Sequence, residues 1–289
     1  MDFETKKMSR PLTEFIFSQN LPWEKGLPGN TNLDLEHKIL SIDHDFGDCS
    51  IILKYPKGWS KKLLCFEAEE ELFILEGNFK MNGKLYEKGN YACLPAGFER
   101  KNIFSTNGCI ILSFFSKSPK LISPNNIKIN RDELIEQLNV IEMPWDKVGV
   151  DPKLEFMGIK RKTLKWDNEF NQKRTFLLST SPHNFPENWE CEQISHPCVE
   201  EAFMLAGTLS GPQGIMTKGS YFWRPENIPH GPFGSLDGSL TLIRFMYGKH
   251  INIWGSEKIK FNYDMPYKPI LPPNLGNLFL AEYNRNENY

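Results

Sequence analysis

The 289-residue sequence predicts an all-β protein made of two tandem β-barrels with few short helices. Three observations carry that prediction: a gapless internal repeat, a series of short β-rich runs cut by Gly, Pro and Asn, and the near absence of helical patterning. The repeat is explicit in the residues. EEELFILEGNF at 69–79 aligns with VEEAFMLAGTL at 199–209 at an offset of 130 residues. Glu70 then matches Glu200, Glu71 matches Glu201, Phe73 matches Phe203 and Gly77 matches Gly207. In the same register Gly89 matches Gly219, Tyr91 matches Tyr221, Pro95 matches Pro225 and Gly108 matches Gly238. Upstream, LPWEKG (21–26) echoes MPWDKV (143–148) at an offset of 122, so the second copy has gained about eight residues in between.

The copies are placed at 1–120 and 121–289, joined within the Ser-, Pro- and Asn-rich stretch SKSPKLISPNN at 116–126. In the first copy IILKY (51–55), ELFILE (71–76), NYACL (90–94) and CIILSFF (109–115) read as strands. Their counterparts are TFLLST (175–180), EAFMLA (201–206), SYFWR (220–224) and SLTLIRFM (239–246). Asn82-Gly83 between strand-like segments marks a hairpin. One helix is expected, RDELIEQL at 131–138, with Asn130 as its cap and Glu133 three residues on. Short, evenly spaced strands of this kind build a β-sandwich or a jelly-roll barrel.

Composition excludes several functions. The net charge is −2, from 34 basic and 36 acidic residues without a basic run, which argues against nucleic acid as a partner. No apolar run approaches the roughly 18 residues of a membrane span. The N-terminal stretch MDFETKKMSRPLTEF lacks the apolar core of a signal peptide, so a cytoplasmic protein is expected. Six scattered cysteines form no CxxC pair, indicating neither a zinc ribbon nor a disulfide framework. Cys198 stands apart because it lies between His196 and Glu200, and a structural role is expected for it.

The second copy carries the chemistry. EQISHPCVEEAFMLAG places His196 and Glu200 with three residues between them, and His230 follows in GSYFWRPENIPHGP. Two imidazoles and a carboxylate on one side of a divalent ion leave the opposite positions free, the arrangement of non-haem Fe(II) enzymes. Glu201 is the alternative carboxylate, but strand alternation turns it away from Glu200. In the first copy the corresponding positions are Phe66 and Arg100, so only Glu70 remains and no ordinary metal site is expected there. Arg100 either pairs with Glu70 inside that barrel or reaches solvent at its mouth.

These residues carry a resemblance. Both copies resemble cupin domains, over roughly 50–116 and 173–246, and the whole chain resembles a bicupin. The first cupin motif runs Gly, five residues, His-x-His, three or four residues, Glu, six residues, Gly; His196, Glu200 and Gly207 satisfy its last three positions. The second runs Gly, five residues, Pro-x-Gly, two residues, His; Gly219, Pro225 and His230 satisfy it, with Asn227 where Gly is usual. The first His of His-x-His falls at Ile194, which reduces the usual three His and one Glu to two His and one Glu. Glu192, on the same strand face as 194 and 196, is the candidate substitute ligand. HPCVEEAF, GSYFWRP and IPHGP are most similar to the ChrR-like branch of cupins, which includes enzymes that cleave carbon–carbon bonds beside a carbonyl.

The resemblance implies one divalent metal ion per chain, Fe(II) first, with Zn, Mn or Ni as alternatives. It implies a non-haem dioxygenase acting at the second copy on a small chelating oxygenated substrate such as a diketone or hydroxyketone. A metal-dependent lyase or isomerase and a non-catalytic small-molecule-binding cupin are the alternatives. Met204, Tyr221, Trp223, Arg224 and Arg244 are the candidate substrate contacts, the arginines as bidentate grips for a carboxylate or enolate. His37, His44, His183 and His250 have no partner at ligand spacing and read as ordinary polar residues. A homodimer with a small-molecule substrate, and neither nucleic acid nor membrane, completes the expectation.

Overall fold

The computed structural model describes residues 10–29 and 32–289; residues 1–9 of the polar N-terminal stretch lie outside it. Two compact units result. One comprises Arg10 and Leu21–Glu142, the other Pro11–Asn20 and Met143–Tyr289. Among the described residues every strand pairing is antiparallel, as expected of an all-β chain of short strands. These bounds differ from the 1–120 and 121–289 division for a reason of pairing. The Ile135–Asn139 strand hydrogen-bonds to Asn90–Leu94, and the Thr13–Phe17 strand hydrogen-bonds to Ser220–Arg224.

The helix expected at 131–138 is absent. Asn130 does cap a turn, accepting from the Asp132 amide, but that turn is a 3-10 helix ending at Glu133. Ile135–Asn139 then extends as an edge strand. An isolated segment of this length cannot offset helix nucleation in water, whereas the exposed edge of NYACL offers a ready ladder.

In the first unit the sheet runs Ile135–Asn139, Asn90–Leu94, Glu70–Met81, Cys109–Phe115, Cys49–Tyr55, Glu36–Ile42, Glu24–Lys25. The Asn82-Gly83 hairpin forms as expected, joining Met81 to Lys84 with both turn residues at positive φ. In the second unit the order is Thr13–Phe17, Ser220–Arg224, Val199–Gly207, Ser239–Met246, Gln172–Thr180, Lys160–Asp167. Smaller two-stranded sheets, Glu190–Ser195 with Ile253–Lys260 and Leu209–Gly211 with Gly214–Met216, complete it. All eight strands read from the sequence lie within observed strands.

The repeated residues hold equivalent places in the two units. Gly77 and Gly207 both have positive φ, and a Cβ on either would stand 2.2 or 2.1 Å from the carbonyl oxygen of its partner glycine, Gly108 or Gly238. No side chain fits there, which accounts for the matched pair Gly77 and Gly207. Tyr91 donates to Glu71 at 2.7 Å, and Tyr221 donates to Glu201 at 2.6 Å. Asn227 is likewise explained: its φ of 62° is left-handed, the conformation Gly97 adopts in the first unit. From that conformation the Asn227 amide donates to the His196 carbonyl, just as the Gly97 amide donates to Phe66. The loop before position 230 is thus tied to the strand entry at position 196.

None of the six cysteines forms a disulfide, and five are buried. Among the described residues no helix is long and apolar enough to cross a membrane.

Candidate metal centre

The Val199–Gly207 strand alternates its side chains. Glu200, Ala202 and Met204 face the interior of the second unit, and Glu201 faces the other way. His196 enters just before this strand. His230 arrives from the loop beyond Arg224, held by a backbone bridge in which the His230 and Ile194 amides donate to each other's carbonyls at 2.9 and 3.1 Å. One potential ligand atom from each of His196, Glu200 and His230 lies within 4.8 Å of the others, and all three residues are buried. The spacing read from the sequence therefore closes in space.

The ring orientations suit a metal. His196 Nδ1 lies 3.0 Å from the Ile251 carbonyl oxygen, and His230 Nδ1 lies 2.9 Å from that of Ile228. A carbonyl only accepts, so each Nδ1 carries a proton and each Nε2 is left facing Glu200. His230 Nε2 is 3.3 Å and His196 Nε2 3.9 Å from Glu200 Oε2. Two ligands each about 2.1 Å from one ion stand roughly 3.0–3.4 Å apart. The His230 side fits as it stands, and the His196 side needs closure by about half an ångström. His196, Glu200 and His230 form a cluster able to hold a divalent metal ion. Glu192 lies outside it, half-buried on the Glu190–Ser195 strand with the Cys191 thiol 3.9 Å away. Ile194 contributes an apolar wall where a further imidazole is usual.

The electrostatics keep the ligand set ready. Burial alone would raise the Glu200 carboxyl, but Arg224, His230 and His196 outweigh it and hold the group at about 2. Burial, with Arg224 adding to it, pushes the His230 imidazole down to about 3. At neutral pH the site therefore presents one carboxylate and a neutral His230.

The candidate substrate contacts divide by strand face. Met204 lines the cavity, receiving a contact from the Thr241 hydroxyl at 3.0 Å. Arg224 also lines it but is already engaged: Nη1 donates to Glu200 at 2.7 Å, Nη2 donates to Glu14 at 2.9 Å, and Nε donates to Glu14 as well. It positions a ligand residue and has no fork left for a substrate. Tyr221 and Arg244 face away from the cavity, both donating to Glu201, Arg244 at 2.6 Å. Trp223 shares the parity of Tyr221 and is buried outside the cavity lining. Phe222, one residue along, is the aromatic of that strand that lines the cavity.

Two contributors escaped the sequence reading. Glu14 reaches Arg224 because Thr13 pairs with Trp223 across strands about 210 residues apart in the chain. His250, read as an ordinary polar residue, lines the cavity, stacked on Phe245 at 3.6 Å with its ring 4.9 Å from that of His196. Burial, then the neighbouring His196 and Arg161, push it down to about 3. Its signal was positional: Met246 ends the strand paired with Val199, so the residues that follow lie beside the start of the Glu200 strand.

The cavity measures about 120 Å³ and is walled mainly by Phe176, Leu178, Met204, Phe222, Ile243 and Phe245. Cavities on the order of 150 Å³ admit a benzene-sized ligand, so this one suits a small molecule. Phe156, 41% exposed, carries the lining to the surface. In the first unit the matching position is closed. Arg100 donates to Glu70 with both side chains nearly inaccessible, and its guanidinium lies 4.4 Å from the centre of the Phe66 ring. The Arg100–Glu70 pair considered from the sequence forms, and no imidazole stands in its place.

A family model described as a domain of unknown function, DUF4437, matches residues 14–250. The chain belongs to this family. The DUF4437 match spans parts of both units. No curated protein matches the sequence. Among solved structures, a Nostoc punctiforme protein provisionally assigned as a dioxygenase is similar at 18% identity and a TM-score of 0.71, covering 89% of this chain and 93% of that one. A variant of Bacillus subtilis oxalate decarboxylase matches at 11% identity and 0.51, covering 83% and 79%. The E. coli protein YlbA, of the family DUF861, matches at 14% and 0.51, covering 81% and 91%. These are cupin-fold proteins, and the likeness establishes the cupin fold for this DUF4437 chain.

Proposed function

We propose that this DUF4437 protein is a bicupin of the ChrR-like branch and a non-haem metal-dependent dioxygenase. His196, Glu200 and His230 of the second unit would hold Fe(II), and the substrate would be a small chelating oxygenated compound such as a diketone or hydroxyketone. The observation that carries this reading is the pair of Nδ1–carbonyl contacts, which leave both imidazole Nε2 atoms facing a buried carboxylate. When bound, such an ion supplies Lewis-acid polarisation of a chelating oxygen and, as Fe(II), the redox couple for reaction with O₂.

The chain's own residues do the rest. Arg224, shared with Glu14, fixes the Glu200 carboxylate and keeps it ionised. Ile194 withholds a fourth side-chain ligand, leaving more than one position open to a chelator. Phe176, Phe222 and Phe245 exclude water and give a small substrate an apolar bed. Six thiols outside any disulfide agree with a reducing compartment, and we place the protein in the cytoplasm.

The test is anaerobic purification, metal analysis, and O₂ uptake with a panel of β-diketones and hydroxyketones. Stoichiometric iron with substrate-dependent uptake is expected. Metal without any oxygen dependence would replace the dioxygenase by a lyase or isomerase.

A further inference from the structure

Five arginines are buried among the described residues: Arg10, Arg100, Arg161, Arg224 and Arg244. Four of them hold a carboxylate within ion-pair distance: Asp48 for Arg10, Glu70 for Arg100, Glu14 and Glu200 for Arg224, and Glu201 for Arg244. Arg161 holds none. It lies on the Lys160–Asp167 strand, is 8% exposed, and lines the cavity of the metal cluster. Its Nη1 donates to the Gly149 carbonyl at 3.1 Å, its guanidinium lies 5.0 Å from the Phe176 ring centre, and its buried Nε has no partner. Asp146, the carboxylate whose charge reaches it, is ion-paired with Lys173 at 2.5 Å. A buried guanidinium stays protonated, so leaving it without a counter-ion is unfavourable unless a ligand supplies one.

Charge balance in the cavity points the same way. Arg161 and Arg224 line the cavity with Glu192 and Glu200, and Glu14 pairs with Arg224 from outside the lining. A divalent ion would turn this set of two cations and three carboxylates net positive in a largely apolar enclosure. An anionic ligand would offset that charge.

Position fixes how those charges are spaced. Arg161 pairs across to Leu178, Leu178 to Thr241, and the Thr241 strand to the Glu200 strand, so three strand steps separate Arg161 from the metal ligands. Phe176 and Phe245, stacked at 5.9 Å, lie between Arg161 and His196.

We propose that Arg161 receives a carboxylate at the end of the substrate remote from its chelating oxygens, with an apolar spacer lying along Phe176 and Phe245. The substrate class is then a small keto acid whose enolisable diketone or hydroxyketone end faces His196, Glu200 and His230. This rests on the metal reading of the same cavity.

The experiment compares two probes, 4,6-dioxoheptanoate and the uncharged 2,4-heptanedione, by calorimetric titration of protein loaded with redox-silent Zn(II). Zinc content is measured first. Wild type should bind the acid on the order of tenfold or more tighter than the diketone, as expected for a charge-assisted bidentate contact. R161Q should lower the acid's affinity to that of the diketone, and R161K should keep part of the preference. Equal or tighter binding of the diketone by wild type overturns the assignment, as does R161Q that retains the preference. The wild-type comparison decides even if R161Q does not fold. Absence of bound zinc would refute the metal reading alone, and an Arg161-dependent preference for the acid in metal-free protein would leave the carboxylate site standing.

Discussion

Metal-free protein is expected to lose stability steeply as the pH falls below about 6.5, and the loss should be confined to the second unit. His230 and His250 have folded pKa values of about 3, against an ordinary value of 6.5. Between those values the unfolded chain binds protons that the folded unit excludes, so the stabilisation is complete above 6.5 and drains as pH falls toward 3. Each group contributes a slope of about 1.4 kcal/mol per pH unit. From pH 6.5 to 5 that is about 2 kcal/mol from His230, which is 4% exposed, and at most a similar amount from the more accessible His250. Together they approach 4 kcal/mol, a large fraction of a typical domain stability of about 5–15 kcal/mol. Below about pH 4.5 the depressed Glu200 carboxyl adds a loss of the same sign. The assay is urea unfolding in EDTA between pH 7.5 and 5, with hydrogen exchange read on peptides from Val199–Gly207. His250→Phe, which preserves the stack on Phe245, should reduce the slope toward that of one group. A stability that is flat or rises from pH 7 to 5 would show that these imidazoles are not held neutral.

Other outcomes follow from single contacts. Arg100→Met should destabilise the first unit by about 3–5 kcal/mol in denaturant titration, because it strands the buried Glu70 carboxylate; adding Glu70→Leu should recover most of that loss. Gly207→Ala drives a Cβ to 2.1 Å from the Gly238 carbonyl at a positive φ, so a loss of about 3 kcal/mol or insoluble expression is expected. Tyr221→Phe removes a buried hydrogen bond to Glu201 and should lower stability by about 1–2 kcal/mol in the same titration, without changing metal content. Glu14→Gln leaves Arg224 with Glu200 as its one carboxylate, and should weaken metal binding on the order of 10- to 100-fold in a competition titration.

How much of this was legible depended on the range of the contact that decides each feature. The eight strands were readable because their β-branched and aromatic runs agree with what the sheets require, and the repeat showed where sterics forbid a side chain, as at Gly77 and Gly207. The His196, Glu200 and His230 set was readable because two of its members flank the start of one strand and the third follows the neighbouring strand. What failed was decided by partners remote in sequence. The 131–138 segment has helical composition, yet only Arg131–Glu133 keeps a helical turn and the strand Ile135–Asn139 forms because Cys93 and Tyr91 offer it a ladder. Arg224 looked free to hold a substrate, and nothing near it in the chain announces that Glu14 occupies its fork. Tyr221, Trp223 and Arg244 were grouped with Arg224 by proximity, whereas the twofold alternation of a strand sends them to the opposite face. Arg161 gave no local signal at all. Its significance is the missing counter-charge, visible only when every buried arginine is placed beside its carboxylate.

The central claim is that His196, Glu200 and His230 hold one divalent ion in the second unit, while the Glu70–Arg100 pair closes the equivalent place in the first. Metal content by mass spectrometry on anaerobically purified wild type, His196→Ala, His230→Ala and Arg100→Met tests it directly. One ion per chain in wild type and Arg100→Met, and less than a tenth of that in either histidine variant, is the predicted result. Equal metal in wild type and both histidine variants would contradict the assignment.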